Sequence, residues 1–291
     1  MPALTATGLR AAAQRALATG QPAIVVHVQQ AQGSTPRATD ARMIVSPTEV
    51  MGTIGGGHLE WQAVQRAREA LGRPPSDRRA WVERFALGPS LGQCCGGVVH
   101  LAFAPLDDVA LSDWPQPAPR FGLDLHGAGH VGQAIVHLLA TLDVDVRWID
   151  QRLGAPEDPG DPAAVGLPEG AARAALPPHI ACLPTDGAAA EAASAPDQRL
   201  HLVLTHRHDL DLAIVDALLR RPDVRQGQAW VGLIGSRTKR AAFEHRLAAR
   251  GHPADVVARM ACPIGIDGIA GKAPEVIAVS VVAQLLLLSS T

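Results

Sequence analysis

The spacing of apolar residues predicts an alternation of helices and extended segments along the whole chain. Helical spacing predicts helices over residues 7–18 and 58–71, where apolar side chains recur every three or four positions. Short extended runs read "AIVVHVQQ", "ARMIVS" and "VVHLAFAPL". Together these elements predict a mixed α/β domain over residues 1–106. In the segment 107–120, charge and proline replace the periodicity, which predicts a linker.

The second half, residues 121–291, begins with a strand, a glycine turn, a helix and another strand in "FGLDLHGAGHVGQAIVHLLATLDVDVRWIDQR". After a Pro/Ala/Gly-rich loop, two segments repeat the order of apolar strand, polar turn and amphipathic helix: "LHLVLTHRHDLDLAIVDALLRR" and "AWVGLIGSRTKRAAFEHRLAARG". The predicted fold class is therefore α/β, with a Rossmann-like doubly wound parallel sheet after the N-terminal mixed domain. The apolar run "VIAVSVVAQLLLL" is shorter than the roughly 20 residues of a membrane span, and we predict a buried helix there.

Composition narrows the classes of function. The 291 residues carry a formal charge of -2, and 3% of them are aromatic with no Tyr. A chain with this charge has neither the basic field that binds nucleic acid nor the polybasic patch that binds a membrane surface, so both functions are disfavoured. The N-terminus lacks the pattern of a signal peptide, and there are only four cysteines. We therefore expect a cytoplasmic protein with free thiols.

A G-x-G-x-x-G pattern connects the first strand and helix of the second half. Its glycines are Gly127, Gly129 and Gly132, and Asp150 ends the next strand at the distance where dinucleotide folds place a ribose-binding acid. Such a turn directs backbone N–H groups and a helix N-terminus toward an anion. The alternative is a turn kept only for packing, without a nucleotide. His130 could face a ligand or cap the helix.

Four further turns carry groups that suit an anion. "GSTPRATDARM" follows a strand, "GTIGGGHLE" begins a helix, and "THRHDLD" and "IGSRTKR" lie at predicted carboxyl ends of strands. Each could equally be an ordinary turn or helix cap. His206 and His208 alternate on a segment predicted to be extended, so they would point to opposite faces, which disfavours a metal site built on both.

The stretch "LGQCCGGVVHL" places two adjacent cysteines before two glycines. A disulfide between Cys94 and Cys95 would close a strained ring, so a turn that presents a thiol is the better interpretation. The glycines allow a ligand to approach the backbone closely. We expect Cys95 to face the ligand, because in an extended turn Cys94 would point the other way.

The chain has no nucleophile elbow, H-E-x-x-H, paired C-x-x-C or Walker loop, and no evident acid–base pair. A protein without turnover of its own is therefore favoured. One competing hypothesis is an NAD(P)-dependent oxidoreductase that uses the glycine turn, with His206 or His208 as acid or base. Another is a thiol redox or metal-binding protein built on Cys94 and Cys95, which lacks further ligands at metal spacing.

The glycine turn, the four further turns and the cysteine stretch described above follow one another along the chain in an order that resembles the XdhC/CoxI family. This family comprises accessory proteins for molybdenum hydroxylases such as xanthine dehydrogenase. The carrying segments also include "HGAGHVGQA" with "WIDQR" and "CPIGIDGIAGKAPEVIAVSVVAQLL". The family pattern has small or neutral residues in the "THxHxxDL" turn, whereas Arg207 and Asp209 bring charge here.

The resemblance implies a chaperone that binds the molybdenum cofactor, a molybdopterin with an anionic phosphate. It would hold this cofactor while a cysteine desulfurase adds sulfide, and then deliver it to an apo xanthine dehydrogenase or a related hydroxylase. It also implies a homodimer and suggests Cys95 as a ligand to the molybdenum. The candidate cofactor-binding residues are Ser34, Thr35, Arg37, Gly55, Gly56, Gly57, Gln93, Cys94, Cys95, Gly96, Gly127, Gly129, His130, Gly132, Asp150, Ser236 and Arg237.

Overall fold

The structure is a computed structural model, and it describes residues 5–33, 41–87, 97–112, 114, 118–154 and 176–290. The chain divides into two compact units, residues 1–117 and 118–291. Each unit has its own sheet and its own apolar core.

The first unit is an antiparallel sheet with helices on both faces. Its strands are ordered β3-β2-β1-β5-β4. The elements in chain order are α1 (Ala6–Ala18), β1 (Ile24–Gln32), β2 (Arg42–Val45), β3 (Val50–Gly52), α2 (Gly57–Leu71), β4 (Trp81–Ala86), β5 (Val98–Pro105) and α3 (Asp108–Ser112).

Alternation along β1 and β2 divides the first core between the two sheet faces. Ile24, Val26 and Met43 pack with α2, whereas Val25 and Ile44 pack with α1. The stretch predicted as a linker contains α3. Trp114 is buried beside α1, and Arg10 of that helix donates hydrogen bonds to carbonyl oxygens of Leu111 and Trp114.

The second unit begins at β6 and alternates strands with helices. Its elements are β6 (Gly122–His126), α4 (His130–Leu139), β7 (Asp145–Ile149), β8 (Ile180–Leu183), α5 (Ala188–Ala193), β9 (Leu200–Val203), α6 (His208–Arg220), α7 (Pro222–Arg225), β10 (Val231–Leu233), α8 (Arg237–Ala249), α9 (Ala254–Val257), β11 (Met260–Ala261) and α10 (Pro274–Leu288).

All strand pairs of the second sheet are parallel, and their order is β11-β10-β9-β6-β7-β8. Numbered from β6, this is the Rossmann order 3-2-1-4-5-6, so the predicted α/β fold class is confirmed. α4 and α10 cover one face, and α5, α6 and α8 cover the other. Within the described ranges, no helix is both long and apolar enough to cross a membrane.

Candidate functional site

The glycine turn lies where the strand order reverses, between β6 and β9 at their carboxyl ends. Ligands of open α/β sheets bind at such a switch point. Gly127 has a φ of +124°, and a Cβ there would lie 2.5 Å from the carbonyl oxygen of Leu204, the residue after β9. The first glycine is therefore required both by its backbone conformation and by its close contact with the neighbouring strand.

The other two glycines differ sharply in their surroundings. A Cβ on Gly132, inside α4, would overlap the carbonyl oxygen of Gly127, so this glycine allows the helix to pack against the turn. Gly129 precedes α4 with a φ of −71°, and nothing lies within 4 Å of a Cβ added there. Because the first N–H groups of a helix have no partner within the helix, the open space at Gly129 can receive a hydrogen-bond acceptor.

Asp150, predicted to bind a ribose, is bonded within the protein. Its Oδ2 accepts a hydrogen bond from the Ala128 N–H at 2.8 Å, and the Arg152 guanidinium donates to Oδ1 at 2.9 Å and Oδ2 at 2.8 Å. Burial raises the pKa of Asp150, but the hydrogen bonds from Arg152 and Ala128 outweigh it and lower that pKa below its ordinary value. The carboxylate therefore fixes the glycine turn, and both of its oxygens already have partners.

We expect Asp150→Asn to lower the free energy of unfolding at neutral pH by about 2 kcal/mol, because it removes charged hydrogen bonds at a buried position. Since the folded-state pKa is lowered, the contribution is complete above the unfolded-state value near 4 and is lost as the pH falls through the folded-state value. Urea denaturation at pH 7 and pH 3 should show the difference from the wild type shrinking at the acid pH. The exposed Asp186→Asn is the control, and an equal loss in that variant would contradict the assignment.

The next two turns of the same sheet edge are joined by a buried ion pair. Asp211 of α6 is fully buried, and its Oδ1 accepts hydrogen bonds from the Thr205 N–H at 3.0 Å and hydroxyl at 2.7 Å. Its Oδ2 lies 2.7 Å from Lys239 Nζ of α8, which also donates to the carbonyl oxygen of Ile234. The pair thus connects the turn after β9 with the turn after β10.

Ser236 and Arg237 begin α8. The hydroxyl of Ser236 accepts from the Lys239 N–H at 3.2 Å, so this serine is a helix cap, and Arg237 is exposed. Sequence reasoning identified both of these positions and missed Asp211 and Lys239. The sequence does contain a signal for this ion pair, because Asp211 lies in the first turn of α6 and Lys239 lies in the first turn of α8.

The segment around His206 is not a continuous extended run. His206 lies in a bend and His208 begins α6, so the expectation of two histidines on opposite faces of one strand was wrong. The preceding turn already ends the strand, because Thr205 bonds to Asp211 instead of a neighbouring strand. The unexpected charges of Arg207 and Asp209 form an exposed ion pair at 2.7 Å.

A cavity of about 530 Å³ lies between α4 and α10. Trp148 lines it and donates its indole N–H to the carbonyl oxygen of Gly127, which connects the cavity wall to the glycine turn. Most of the lining is apolar, and the polar groups are His130, Gln133, His137 and Glu275. An apolar cavity with a few polar side chains next to a helix N-terminus suits a ring system that carries an anionic group.

In the first unit, the glycines before α2 also surround a carboxylate of the chain. Gly55, Gly56 and Gly57 all have positive φ, and Glu60 Oε2 accepts hydrogen bonds from the N–H groups of Ile54 and Gly56, both at 3.1 Å. Two of the N–H groups of this turn are therefore occupied by Glu60, and the Gly55 N–H donates to the Thr53 hydroxyl at 3.1 Å. Sequence reasoning missed Glu60, although an acid in the first turn of a helix is a common way to satisfy such donors.

The remaining predicted site residues lie outside the described residues: Ser34, Thr35, Arg37, Gln93, Cys94, Cys95 and Gly96. The described cysteines are Cys182, which is partly buried, and Cys262, which is buried. Burial raises the pKa of the Cys262 thiol, which disfavours the thiolate that a metal requires.

The strand order, the glycine turn and the cavity beside it define a Rossmann-type protein with a separate antiparallel unit. Residues 123–285 match the XdhC Rossmann domain, and residues 16–84 match the XdhC and CoxI family. The chain belongs to the XdhC and CoxI family.

Two known proteins are similar to this chain over most of its length. The uncharacterized protein YqeB of Escherichia coli is 29% identical over 272 residues, which are 91% of this chain and 43% of YqeB, so the chain spans less than half of that relative. The crystal structure of BH1974 from Bacillus halodurans, described as a xanthine dehydrogenase, is 17% identical with a TM-score of 0.69. The aligned region covers 99% of this chain and 97% of BH1974, and this likeness establishes the fold.

Proposed function

We propose that this protein is an accessory factor in the maturation of xanthine dehydrogenase or a related molybdenum hydroxylase, and that it binds the molybdenum cofactor as its cargo. Membership of the XdhC and CoxI family supports the accessory role. The observation that carries the binding site is the open space at Gly129, because nothing in the described part of the chain lies within 4 Å of a Cβ added there. This space adjoins the start of α4, where the first N–H groups have no partner within the helix.

The described residues fit such a cargo in two respects. The N-terminus of α4, which has no side-chain cap, suits its phosphate, and the cavity lined by Trp148 suits the flat pterin ring. His130 lines this cavity at the first position of α4 and is exposed, so it can donate to an anionic or carbonyl group. Cys95 stays a prediction for the thiol that contacts the molybdenum. Sulfuration by a cysteine desulfurase and a homodimeric state also stay predictions.

The Rossmann strand order is equally compatible with an NAD(P)-dependent oxidoreductase. In a dinucleotide enzyme, the acid after the second strand must be available to the ribose hydroxyls. Here, both oxygens of Asp150 are bonded to Arg152 or Ala128. The bonding of Asp150 therefore favours cofactor carriage over hydride transfer. Steady reduction of NAD by a small substrate would favour the oxidoreductase instead.

The test is purification from a host that makes molybdenum cofactor, followed by denaturation and measurement of oxidised-pterin fluorescence and molybdenum. We expect about one pterin per chain and a Kd of about 1 μM or lower, corresponding to about 8 kcal/mol. Gly129→Val, which fills the open space before α4, should remove most of the pterin. Thr141→Val, at an exposed position two residues after the end of α4, should keep it. Pterin at background in the wild type would overturn the proposal.

The same measurement separates the two parts of the proposed site. Cys95→Ser should lose more cofactor than Cys94→Ser. Equal loading of both cysteine variants and the wild type would show that the thiols are incidental. Full loading of Gly129→Val would instead place the phosphate away from α4.

A further inference from the structure

A cluster of three potential metal ligands lies inside the second sheet, apart from the proposed cofactor site. Asp124 and His126 are alternate residues of β6, and His201 of β9 pairs in register with Asp124, so all three side chains lie on the same face of the sheet. The three residues are fully buried. One potential ligand atom from each lies within 4.8 Å of the others. The cavity beside α4 lies on the opposite face, which Trp148 shares.

The cluster has an unusual number of unpaired polar atoms. Both ring nitrogens of His126 and of His201 are buried without a hydrogen-bond partner in the described part of the chain, and so is Asp124 Oδ2. Buried polar groups are normally paired, and an orphan of this kind points to a missing water or ion. A neutral imidazole offers the lone pair of one ring nitrogen as a metal ligand.

The charges around Asp124 leave room for a cation. Arg199 donates to its Oδ1 at 2.6 Å and also pairs with Asp145, whereas Arg147 lies 3.4 Å from Oδ2 and pairs more closely with Glu191 at 2.6 Å. Three carboxylates and two guanidiniums sum to one negative charge when all are ionised. Because Arg199 also pairs with Asp145 and Arg147 also pairs with Glu191, the negative charge of Asp124 is left to balance a divalent ion.

We propose that Asp124, His126 and His201 bind one Zn²⁺ ion in the interior of the second unit. Two imidazole nitrogens and one carboxylate oxygen are a donor set that zinc accepts, with bonds of about 2.0–2.2 Å. In a tetrahedral site with such bonds, two ligand atoms lie roughly 3.4 Å apart, so the ligand atoms must move together by up to about 1.4 Å from their 4.8 Å span. No hydrogen bond from a described residue holds either imidazole, so the rings can turn toward the ion without losing one.

Arg199 would position the carboxylate ligand. It holds Oδ1 of Asp124 and donates to the carbonyl oxygen of Leu123 at 2.9 Å, which leaves Oδ2 directed to the ion. Bonded partners of this kind commonly fix metal-ligating carboxylates. Arg147 can keep its shorter pair with Glu191 while it gives up the longer contact with Oδ2. With three protein ligands, the zinc would keep a water in its fourth coordination position. It would be a resident ion, independent of any molybdenum cargo.

The experiment is metal analysis of the untagged full chain, expressed in zinc-supplemented cells that make no molybdenum cofactor. The wild type should carry about one zinc per chain after dialysis against a weak chelator. His126→Gln and His201→Gln should each lose at least half of that zinc. The buried control His252→Gln, whose ring bonds to Asp216, should keep it. A zinc-free wild type, or equal zinc in all variants, would overturn the proposal.

Cobalt substitution provides a second measurement that does not depend on the folding of the variants. Wild-type protein produced with Co²⁺ should show weak ligand-field bands in the visible spectrum, as nitrogen and oxygen ligands give. An intense thiolate charge-transfer band would assign the metal to cysteines and contradict the site. Because the cells contain no molybdenum cofactor, these results do not depend on the success or failure of the proposed cargo binding.

Discussion

Replacement of Gly132 by alanine is expected to lower the free energy of unfolding by about 3 kcal/mol, at the upper end of the usual range for overpacking. The added methyl group would overlap the carbonyl oxygen of Gly127 and lie 3.2 Å from Leu204 Cδ1. The Gly127 carbonyl belongs to the backbone of the glycine turn, which the hydrogen bond from the Ala128 N–H to Asp150 holds in place. The Gly127 carbonyl oxygen also accepts the indole N–H of Trp148, so it cannot move away without loss of that hydrogen bond or a shift of α4.

Gly129→Ala is the matched control for this prediction. It adds the same methyl group three positions earlier, at the residue before α4, but into open space and at a φ that any residue adopts. We expect a change below about 1 kcal/mol. Urea denaturation of the full chain, monitored by circular dichroism and Trp fluorescence, gives both values. Similar losses in the two variants would show that the packing of α4 against the turn is not what Gly132 provides.

The second large effect is expected for Lys239→Met, which should cost about 3–5 kcal/mol because it leaves a buried carboxylate without its cation. Asp211 is fully buried, and the Lys239 side chain is only 12% exposed. The remaining partners of Asp211 are the N–H and hydroxyl of Thr205, which carry no charge. We therefore expect the turns after β9 and β10 to loosen together.

Arg207→Met removes a guanidinium from an ion pair of the same 2.7 Å length in the adjacent turn. Both partners are more than half exposed, so its loss should cost less than about 1 kcal/mol. Urea denaturation compares the two variants, and hydrogen exchange at Thr205 tests the loosening directly. If Lys239→Met were as mild as Arg207→Met, water would have to replace the lysine at Asp211.

Much of the second unit could be predicted because its signals are local. The apolar strand before Gly127, the glycine spacing and the amphipathic α4 are contiguous in sequence, and their order determines a parallel βαβ unit. The first unit was harder to predict. β3 has only three residues and is partly buried throughout, and β4 mixes charged with apolar residues at the edge of the sheet. Neither has a long apolar run, so periodicity alone did not find them.

The interior partners of the site could not be derived from local patterns. His126 and His201 occupy apolar strands 75 positions apart in the chain, and only the pairing of β6 with β9 brings them together. The bonding of Asp150 to Arg152 was equally hidden, because an acid at the end of a second strand has the same sequence signature whether it is free or paired. The family resemblance identified the class correctly but did not indicate these contacts.

Carboxylates of the chain itself hold three of its loops. Glu60 bonds to the loop before α2, Asp150 to the glycine turn and Asp211 to the turn after β9. These loops therefore have their hydrogen bonds without any ligand. Under the function proposed above, cargo that binds beside the glycine turn would not have to organise it, and departure of the cargo would leave the same hydrogen bonds in place. Such a carrier would return to its receptive form without refolding between successive deliveries.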